Sequence, residues 1–180
     1  MAASAVLMAR IAQGDAAAFT QLARQLQAPA LRLALRTLND RAAAEDVVQI
    51  ALTRLWTDAA RFDPARGVLE GWFRRMVINL CLDRRRAIRA VLPIEDAHDL
   101  ASAAPDPLAA SIDNDQRSRL DAAMARLNPR QRIALVLFHG EGLTMAEIAG
   151  EMDTTPKAVE GLLGRARMEL KMMLTESQTL

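Results

Sequence analysis

Arginine side chains are concentrated between residues 61 and 89, although the formal net charge of the whole chain is only +1. This arginine cluster holds eight arginines, at positions 61, 66, 74, 75, 84, 85, 86 and 89, against three acids, at 63, 70 and 83. Guanidinium groups bind phosphate oxygens through paired hydrogen bonds, so the cluster favours contact with a nucleic-acid backbone. The alternative is a solvated helix end, where arginines interact favourably with the helix dipole.

Other side chains of the same stretch are suited to single-stranded DNA. Trp72 and Phe73 form an aromatic pair beside the arginines, and Asn79 follows them on the same predicted helix. Aromatic rings stack on unpaired bases, while amide and guanidinium groups hydrogen-bond to bases and phosphates. The composition of the stretch therefore indicates phosphate and base contacts with opened DNA strands.

A second candidate DNA-binding feature spans Leu143–Arg167. Thr144 and Glu147 have the spacing of a capping box at the start of one helix, and Thr155 followed by Pro156 predicts the start of another. The second helix carries the basic residues Lys157, Arg165 and Arg167. Two short helices joined by a tight turn describe a helix-turn-helix whose second helix enters a DNA major groove. The alternative is an ordinary helical hairpin within a bundle.

Two glycines bear on that choice. Gly161 and Gly164 are predicted to lie away from the apolar face formed by Val159, Leu163 and Ala166. A glycine inside a helix costs about 1 kcal/mol relative to alanine. We expect this cost to be offset by close approach of the backbone to nucleic acid or to another helix, and the stretch alone does not decide between them.

The elements that position these features are predicted to be helices throughout. Hydrophobic residues make up 51% of the 180 residues and charged residues 25%, which is typical of a globular protein, while aromatics make up only 3%. The first half contains segments with helical spacing of apolar residues, separated by breaks at Gly14, Pro29 and Asn39-Asp40. They are Ser4–Gln13, an Asp15-capped helix that ends before Pro29, Leu31–Leu38, Arg41 to about Ala60, and Leu69 to about Ala90.

A third surface is predicted on the helix that begins at Arg41. Val48, Ala51 and Leu52 form part of its apolar stripe, whereas another side is mostly polar but includes an isoleucine; it comprises Asp46, Gln49, Ile50, Thr53 and Thr57. Single exposed apolar residues are normal, so one interpretation is a solvated face. The other is a face that docks a protein partner.

The chain changes composition after the arginine cluster. Residues 91–113 are rich in proline and acidic residues and contain no lysine or arginine, which is typical of a linker. We therefore predict an all-α protein with a first domain at residues 1–90, a linker at 91–113 and a second domain at 114–180. In the second domain, a helix bearing Leu120 and Leu127 and a strongly apolar one at Pro129–His139 precede the helix-turn-helix.

No catalytic constellation is recognisable, so we do not expect an enzyme. Cys81 is the single cysteine and His98 has no companion ligands, so we expect neither a metal nor another cofactor. The N-terminus lacks the pattern of a signal peptide, and no apolar run approaches the roughly 20 residues that span a bilayer. These features predict a cytoplasmic protein without a membrane segment of its own.

The ordered set of motifs resembles the extracytoplasmic-function sigma factors, which are bacterial transcription-initiation factors. The segment 44–49 (AEDVVQ) with Leu55-Trp56 looks like the helix of that family that binds the polymerase clamp. The segment 72–79 (WFRRMVIN) with Asp83-Arg84-Arg85 looks like its promoter-melting and −10-reading helix. The segment 127–132 (LNPRQR) and Leu143–Arg167 look like its −35-reading domain.

The resemblance implies partners and site residues. RNA polymerase core would be bound through its β′ clamp helices and β subunit, the former by Asp46, Gln49, Ile50 and Thr53. Promoter DNA at the −10 element would meet Trp72, Arg74, Arg75, Asn79, Asp83, Arg84, Arg85 and Arg86. DNA at the −35 element would meet Thr155, Lys157, Glu160, Gly161, Gly164, Arg165 and Arg167. The family also implies control by an anti-sigma factor that covers these surfaces.

The sequence departs from the family at one place. Many members carry two basic residues where this chain has Glu160 and Leu162, flanking Gly161, so two expected −35 contacts are absent. Glu160 can instead accept a hydrogen bond from a cytosine amino group. Two other functional classes stay open: a helix-turn-helix regulator that binds duplex DNA without docking on polymerase, and a decoy that binds anti-sigma factors only. The face at Asp46–Trp56 disfavours the first, and the arginine cluster disfavours the second.

Overall fold

The computed structural model describes residues 2–91 and 112–176, and every regular element within those ranges is helical. The helices are α1 (Ala2–Ala12), α2 (Ala16–Leu38), α3 (Arg41–Thr57), α4 (Leu69–Val91), α5 (Ile112–Arg126), α6 (Pro129–Leu135), α7 (Met145–Glu151) and α8 (Pro156–Glu176). Two single 3₁₀ turns, Ala59–Arg61 and Pro64–Arg66, connect α3 to α4. The all-α prediction is confirmed, whereas the predicted linker lies almost wholly outside the described residues.

Polar side chains fix the helix starts that the sequence predicts. The Asp15 carboxylate accepts hydrogen bonds from the backbone N–H groups of Ala17 and Ala18 at 2.9 and 3.0 Å, which satisfies two donors that the first turn of α2 leaves free. Asp40 accepts in the same way from Ala43 at the start of α3. These bonds depend only on near neighbours in the chain, so their positions could be read from the sequence.

The predicted break at Pro29 is wrong, because α2 runs without interruption from Ala16 to Leu38. Proline removes one backbone hydrogen bond inside a helix, at a cost of about 3 kcal/mol. Pro29 lies on the solvent side of α2, while Leu26, Ala30 and Leu33 on its inner side are buried. The buried face therefore holds the helix together across the missing bond.

Helices α1 to α4 pack into one bundle, and α5 to α8 into a smaller one. The apolar faces of α2, α3 and α4 meet around Leu22, Val48, Leu55 and Val77, all of them buried. In the second bundle, α8 packs on α5, α6 and α7 through Val159 and neighbouring apolar residues. The two bundles also touch each other, since α2 and α4 contact α6 and α7, and their buried residues form one continuous core.

The strongly apolar helix of the second bundle ends differently from the prediction. Regular α-helix stops at Leu135, and Val136–Gly140 continue as a π-helical turn, in which Glu141 donates its backbone N–H to the carbonyl of Val136. Gly142 then adopts a positive φ of 68° and turns the chain towards α7. In the described ranges, none of the helices combines the length and apolarity needed to cross a bilayer.

Candidate nucleic-acid and protein interfaces

Helix α4 carries the predicted single-strand surface and presents its residues unequally. Arg75, Asn79 and Asp83 are exposed on the outer side of the helix, whereas Val77 and Ile78 are buried in the core. The helix is amphipathic, and its outer side exposes Asn79 as predicted, together with other polar groups that a nucleic-acid strand can reach. Asp83 lies 3.5 Å from Arg86 one turn later, an exposed pair that water screens.

The two aromatic rings, Trp72 and Phe73, differ in their exposure to solvent. Trp72 is half-buried, and its ring meets that of Phe62 edge to face with centroids 5.7 Å apart. Phe73 is only 2% exposed, because it points into the bundle between α2 and α4. The helical spacing of Phe73 and Val77 predicts that Phe73 faces inward, as the structure has it, so only Trp72 of the aromatic pair remains within reach of a base.

Arg74 forms an ion pair with the second bundle. Its Nε and Nη2 atoms donate to the carboxylate of Glu151 at the end of α7, over distances of 2.5 to 2.8 Å. The Arg74 side chain is 24% exposed and that of Glu151 is 8% exposed. The hydrogen bonds that Arg74 donates to Glu151 raise the pKa of Arg74, and the nearby charges of Glu151, Glu141 and Glu147 raise it further. In this arrangement, Arg74 faces the second bundle and not the open side of α4.

Three arginines near the end of α4 differ in exposure and in their contacts. Arg84 lies 3.8 Å from Asp46 on α3, so the predicted DNA and polymerase surfaces adjoin each other. Arg85 is half-buried and donates from Nη2 to the carbonyl of Ala125 on α5 at 3.4 Å, and burial lowers its pKa. Arg86 is exposed at 72% of its side chain. Of these three, Arg86 is the most accessible to a phosphate.

The third surface lies on α3, away from the core. Asp46, Gln49, Ile50 and Thr53 are all exposed, while Val47 and the residues of the predicted stripe are buried. Ile50 is 45% exposed, and Trp56, one of the few other large apolar side chains at the described surface, is 37% exposed. Trp56 packs edge to face against Phe19 of α2, which fixes its ring. The face thus offers an apolar centre within a polar surround.

The helix-turn-helix consists of α7 and α8. The hydroxyl of Thr144 accepts from the N–H of Glu147, while the Glu147 carboxylate accepts from the N–H of Thr144 at 2.8 Å, which confirms the capping box. The Thr144 hydroxyl also donates to the Glu147 carboxylate at 2.7 Å, and this bond together with the one from the Thr144 N–H lowers the pKa of Glu147. The turn closes through Asp153, whose φ is +49°, and the Thr155 hydroxyl accepts from Ala158 at the start of α8.

The exposed side of α8 holds the predicted duplex-reading residues. Lys157 and Glu160 form an exposed ion pair at 3.2 Å. Arg165 is exposed and folds back along the helix, so that a Cβ at Gly161 would meet its Nη1 at 3.4 Å. Arg167 turns towards its own bundle, with its guanidinium 5.4 Å from the centre of the Phe138 ring and 3.4 Å from Nε2 of His139. Arg165 is therefore the freer of the two arginines.

The two glycines of α8 lie beside open space and not against another helix. A Cβ at Gly164 would meet no described atom within 4 Å, and at Gly161 only the side chain of Arg165 lies that close. Packing against a neighbouring helix within the described residues therefore does not account for either glycine. Close approach to nucleic acid stays a prediction for both positions.

Two functional contacts could not be found from the sequence. Glu151 and Arg132 join the bundles, Glu151 by accepting from Arg74 and Arg132 by donating to the carbonyl oxygen of Thr37 at 2.8 Å. A second hydrogen bond from Arg132, to the carbonyl of Met124 at 2.5 Å, stays within its own bundle. Burial and the nearby charge of Arg85 lower the pKa of Arg132 to about 9, so it still carries its charge at neutral pH. The sequence shows Arg132 only as a charged residue within an otherwise apolar helical stretch, and that pattern does not identify the residue that it contacts.

Comparisons with known proteins find a family match for each of the two bundles. The family model described as "Sigma-70 region 2" matches residues 22–91, and that described as "Sigma-70, region 4" matches residues 117–170. The ECF RNA polymerase sigma factor SigM of Mycobacterium tuberculosis is 30% identical over 181 residues, which cover 95% of this chain and 84% of SigM. SigE of Mycolicibacterium smegmatis is 32% identical over 166 residues, which cover 89% of this chain but only 64% of SigE, just under two thirds of its length.

Solved structures with the same fold include two complexes. CnrH, in complex with the cytosolic domain of CnrY, has a TM-score of 0.66 and 28% sequence identity, with 97% of this chain and 98% of that chain covered. The sigma factor RpoE from Bartonella quintana, in complex with the anti-sigma factor NepR, has a TM-score of 0.67 over 87% of this chain and 96% of that chain. Its 20% identity shows a shared fold only.

Proposed function

The chain belongs to the ECF sigma factors of RNA polymerase, and from that membership we propose that it binds core polymerase and directs it to promoters with a −10 and a −35 element. The observation that carries the proposal is the presence of three exposed surfaces on one chain. They are the α3 face around Ile50, the outer side of α4 and the outer side of α8. A regulator that only binds duplex DNA needs the last of these alone.

The α3 face is the surface proposed for core polymerase. Asp46, Gln49, Ile50 and Thr53 would dock on the β′ clamp helices, with the second bundle contacting the β subunit. An exposed isoleucine within a polar rim has the composition of an interface centre, where apolar burial provides affinity and the polar rim provides orientation. Asp46 is 66% exposed, and a basic partner would compete with Arg84, 3.8 Å away, for its carboxylate.

The outer side of α4 is proposed to bind the opened −10 element. Asn79 and Asp83 would contact unpaired bases and Trp72 would stack on one, since its ring is partly accessible. The backbone of the strand would be held by the arginines Arg74, Arg75, Arg84, Arg85 and Arg86. Arg74 and Arg85 would have to leave their contacts with the second bundle to do so.

The outer side of α8 is proposed to read the −35 element in the major groove. Arg165 would contact a base edge, and Glu160 would accept from a cytosine amino group. Thr155 and Lys157 at the helix start would hold a phosphate, where free N–H groups and the helix dipole favour an anion. Gly161 and Gly164 would let the backbone approach the groove, while Arg167 would bind phosphate after leaving Phe138.

We also infer regulation by an anti-sigma factor. The similar structures of CnrH and RpoE were both obtained as complexes, with CnrY and with NepR respectively. This chain shares its arrangement of helices with CnrH over nearly its whole length. An anti-sigma factor bound across α3 and α4 would block the polymerase surface, and we place both proteins with the polymerase in the bacterial cytoplasm.

In vitro transcription tests the proposal directly. Core RNA polymerase would be mixed with this protein and a library of genomic promoter fragments, and the transcripts mapped to their start sites. We expect transcripts that begin at a shared pair of sequence elements and that disappear when either partner is omitted. Core enzyme that gains no specificity from the protein, despite a folded preparation, would contradict the proposal.

A further inference from the structure

The contact between Arg74 and Glu151 uses a residue that the proposed function assigns to DNA. Glu151 offers two carboxylate oxygens to the Arg74 guanidinium, and Nε and Nη2 both donate to it. A phosphate presents oxygens to an arginine in the same bidentate manner. Because one guanidinium edge cannot hold both partners, the pairing with Glu151 and a pairing with a DNA phosphate exclude each other.

The surroundings of Arg74 reinforce the likeness to a phosphate backbone. Glu141 and Glu147 act on Arg74 by their charge, and both come from the second bundle, as does Glu151. Glu141 also lines the same cavity as Arg74, between α2 and α4. The second bundle therefore supplies the carboxylate that Arg74 contacts and two more acidic residues whose charges act on it, so Arg74 lies in a negative field of the kind that a DNA backbone creates.

The shape of α4 admits the Glu151 side chain. Gly71 lies one turn before Arg74, and a Cβ placed there would be 3.8 Å from Oε1 of Glu151. A methyl group fits at that distance, whereas a longer side chain would occupy the space of the carboxylate. The small residue thus allows the end of α7 to reach α4, and the buried Glu151 side chain fills the space.

From these contacts we propose that Glu151 acts as an intramolecular substitute for a DNA phosphate, which keeps Arg74 from single-stranded DNA while the two bundles are closed on each other. The proposal rests on the proposed function, since it takes Arg74 as a DNA-backbone contact. Opening of the Arg74–Glu151 pair then becomes a step that precedes strand binding. The partner of the inhibitory surface is the second domain of the same chain.

Neutralising the charge of Glu151 tests whether its pairing with Arg74 prevents the binding of single-stranded DNA. In Glu151→Gln the amide keeps the size of the side chain but loses the charge. We expect this variant to bind a fluorescein-labelled oligothymidine at least about fivefold more tightly than the wild type, measured by anisotropy at fixed low salt. Small-angle X-ray scattering of the free full-length protein should show a larger radius of gyration. The double variant Arg74→Gln with Glu151→Gln should lose the gain in affinity but keep the larger radius.

Asp153→Asn is the matched control. It removes one negative charge two residues away, at an exposed position whose positive φ asparagine tolerates. We expect it to bind oligothymidine as the wild type does and to keep the wild-type radius. If Glu151→Gln behaves as Asp153→Asn does in both measurements, the proposal is overturned.

An exchange of the charges covers the case in which Glu151→Gln does not fold. Arg74→Glu alone would face Glu151 and should expand the protein, whereas Arg74→Glu combined with Glu151→Arg should restore the wild-type radius. Expansion of both would overturn the pairing. Transcription assays with core polymerase distinguish the failure of the two proposals. If the wild type has no sigma activity but its Glu151 variant has a larger radius of gyration, only the proposed function is refuted. If the wild type is active but the radius of its variants does not increase, only the inhibitory contact is refuted.

Discussion

The guanidinium of Arg132 donates a 2.8 Å hydrogen bond to the carbonyl oxygen of Thr37, which joins α6 to the last turn of α2. The last carbonyls of a helix have no partner within it and carry the negative end of its dipole. Arg132 therefore closes the C-terminal end of α2 from the other bundle. Its Nη2 atom has no hydrogen-bond partner within the described residues, so the contact holds a charge that is fully buried and incompletely paired.

We predict that Arg132→Ala lowers the free energy of unfolding by about 2–4 kcal/mol, because it removes the hydrogen bonds to the Thr37 and Met124 carbonyls and opens a cavity. Arg132→Met should cost less, since it fills the space and removes a buried charge whose desolvation is unfavourable. Urea denaturation followed by circular dichroism measures both. Equal losses in the two variants would show that the hydrogen bonds, and not the volume, carry the effect.

Local features of the fold were predictable from the sequence, and long-range ones were not. The capping residues Asp15, Asp40 and Thr144 act on backbone groups within three residues, so residue type and spacing suffice to locate them. The continuity of α2 through Pro29 depends on burial against other helices, which local propensity does not contain. The same holds for the site. The exposed face of α3 follows from helical periodicity, but Arg74 pairs with a residue 77 positions away.

The polymerase surface can be tested at Ile50. We predict that Ile50→Asp abolishes co-purification with core polymerase, because it places a charge at the apolar centre of the proposed interface. Its melting temperature should stay within about 2 °C of the wild type, since surface substitutions change stability little. Val6→Asp is the matched control, as Val6 is also an exposed aliphatic residue, 58% accessible on α1. Retention of polymerase by Ile50→Asp would place the docking surface elsewhere.

Promoter melting can be tested at Asn79. This side chain is exposed on α4 and lies outside the core, so Asn79→Ala should leave the fold and polymerase binding unchanged. We expect it to reduce open-complex formation, scored by permanganate reactivity of unpaired thymines on a supercoiled promoter. Arg41→Ala, which removes an exposed side chain of α3 paired only with Glu45 in the described contacts, should melt the promoter as the wild type does. Normal melting by Asn79→Ala would remove Asn79 from the −10 contacts.

Duplex recognition can be tested at Arg165. If its guanidinium makes a bidentate contact with a base, Arg165→Ala should weaken binding to a −35 duplex by about 1–3 kcal/mol and relax the preference at one base pair. Lys171→Ala is the control, because it removes an exposed charge farther along the same helix. A loss that is the same for specific and random duplexes, accompanied by a shallower salt dependence, would instead identify Arg165 as a phosphate contact.

Cys81 gives a prediction with a defined dependence on pH. Burial raises the pKa of its thiol to about 12, whereas the unfolded thiol titrates near its ordinary value of 9.0. Between these values the folded state keeps a proton that the unfolded state releases, so stability falls as pH rises through that window. Comparison with Cys81→Ala isolates the effect, because the titration of Arg132 is common to both proteins and cancels. We expect the free energy of unfolding of the wild type, relative to Cys81→Ala, to fall by about 1 kcal/mol between about pH 8 and about pH 10. A constant difference across that range would mean that the thiol reaches solvent in the folded protein.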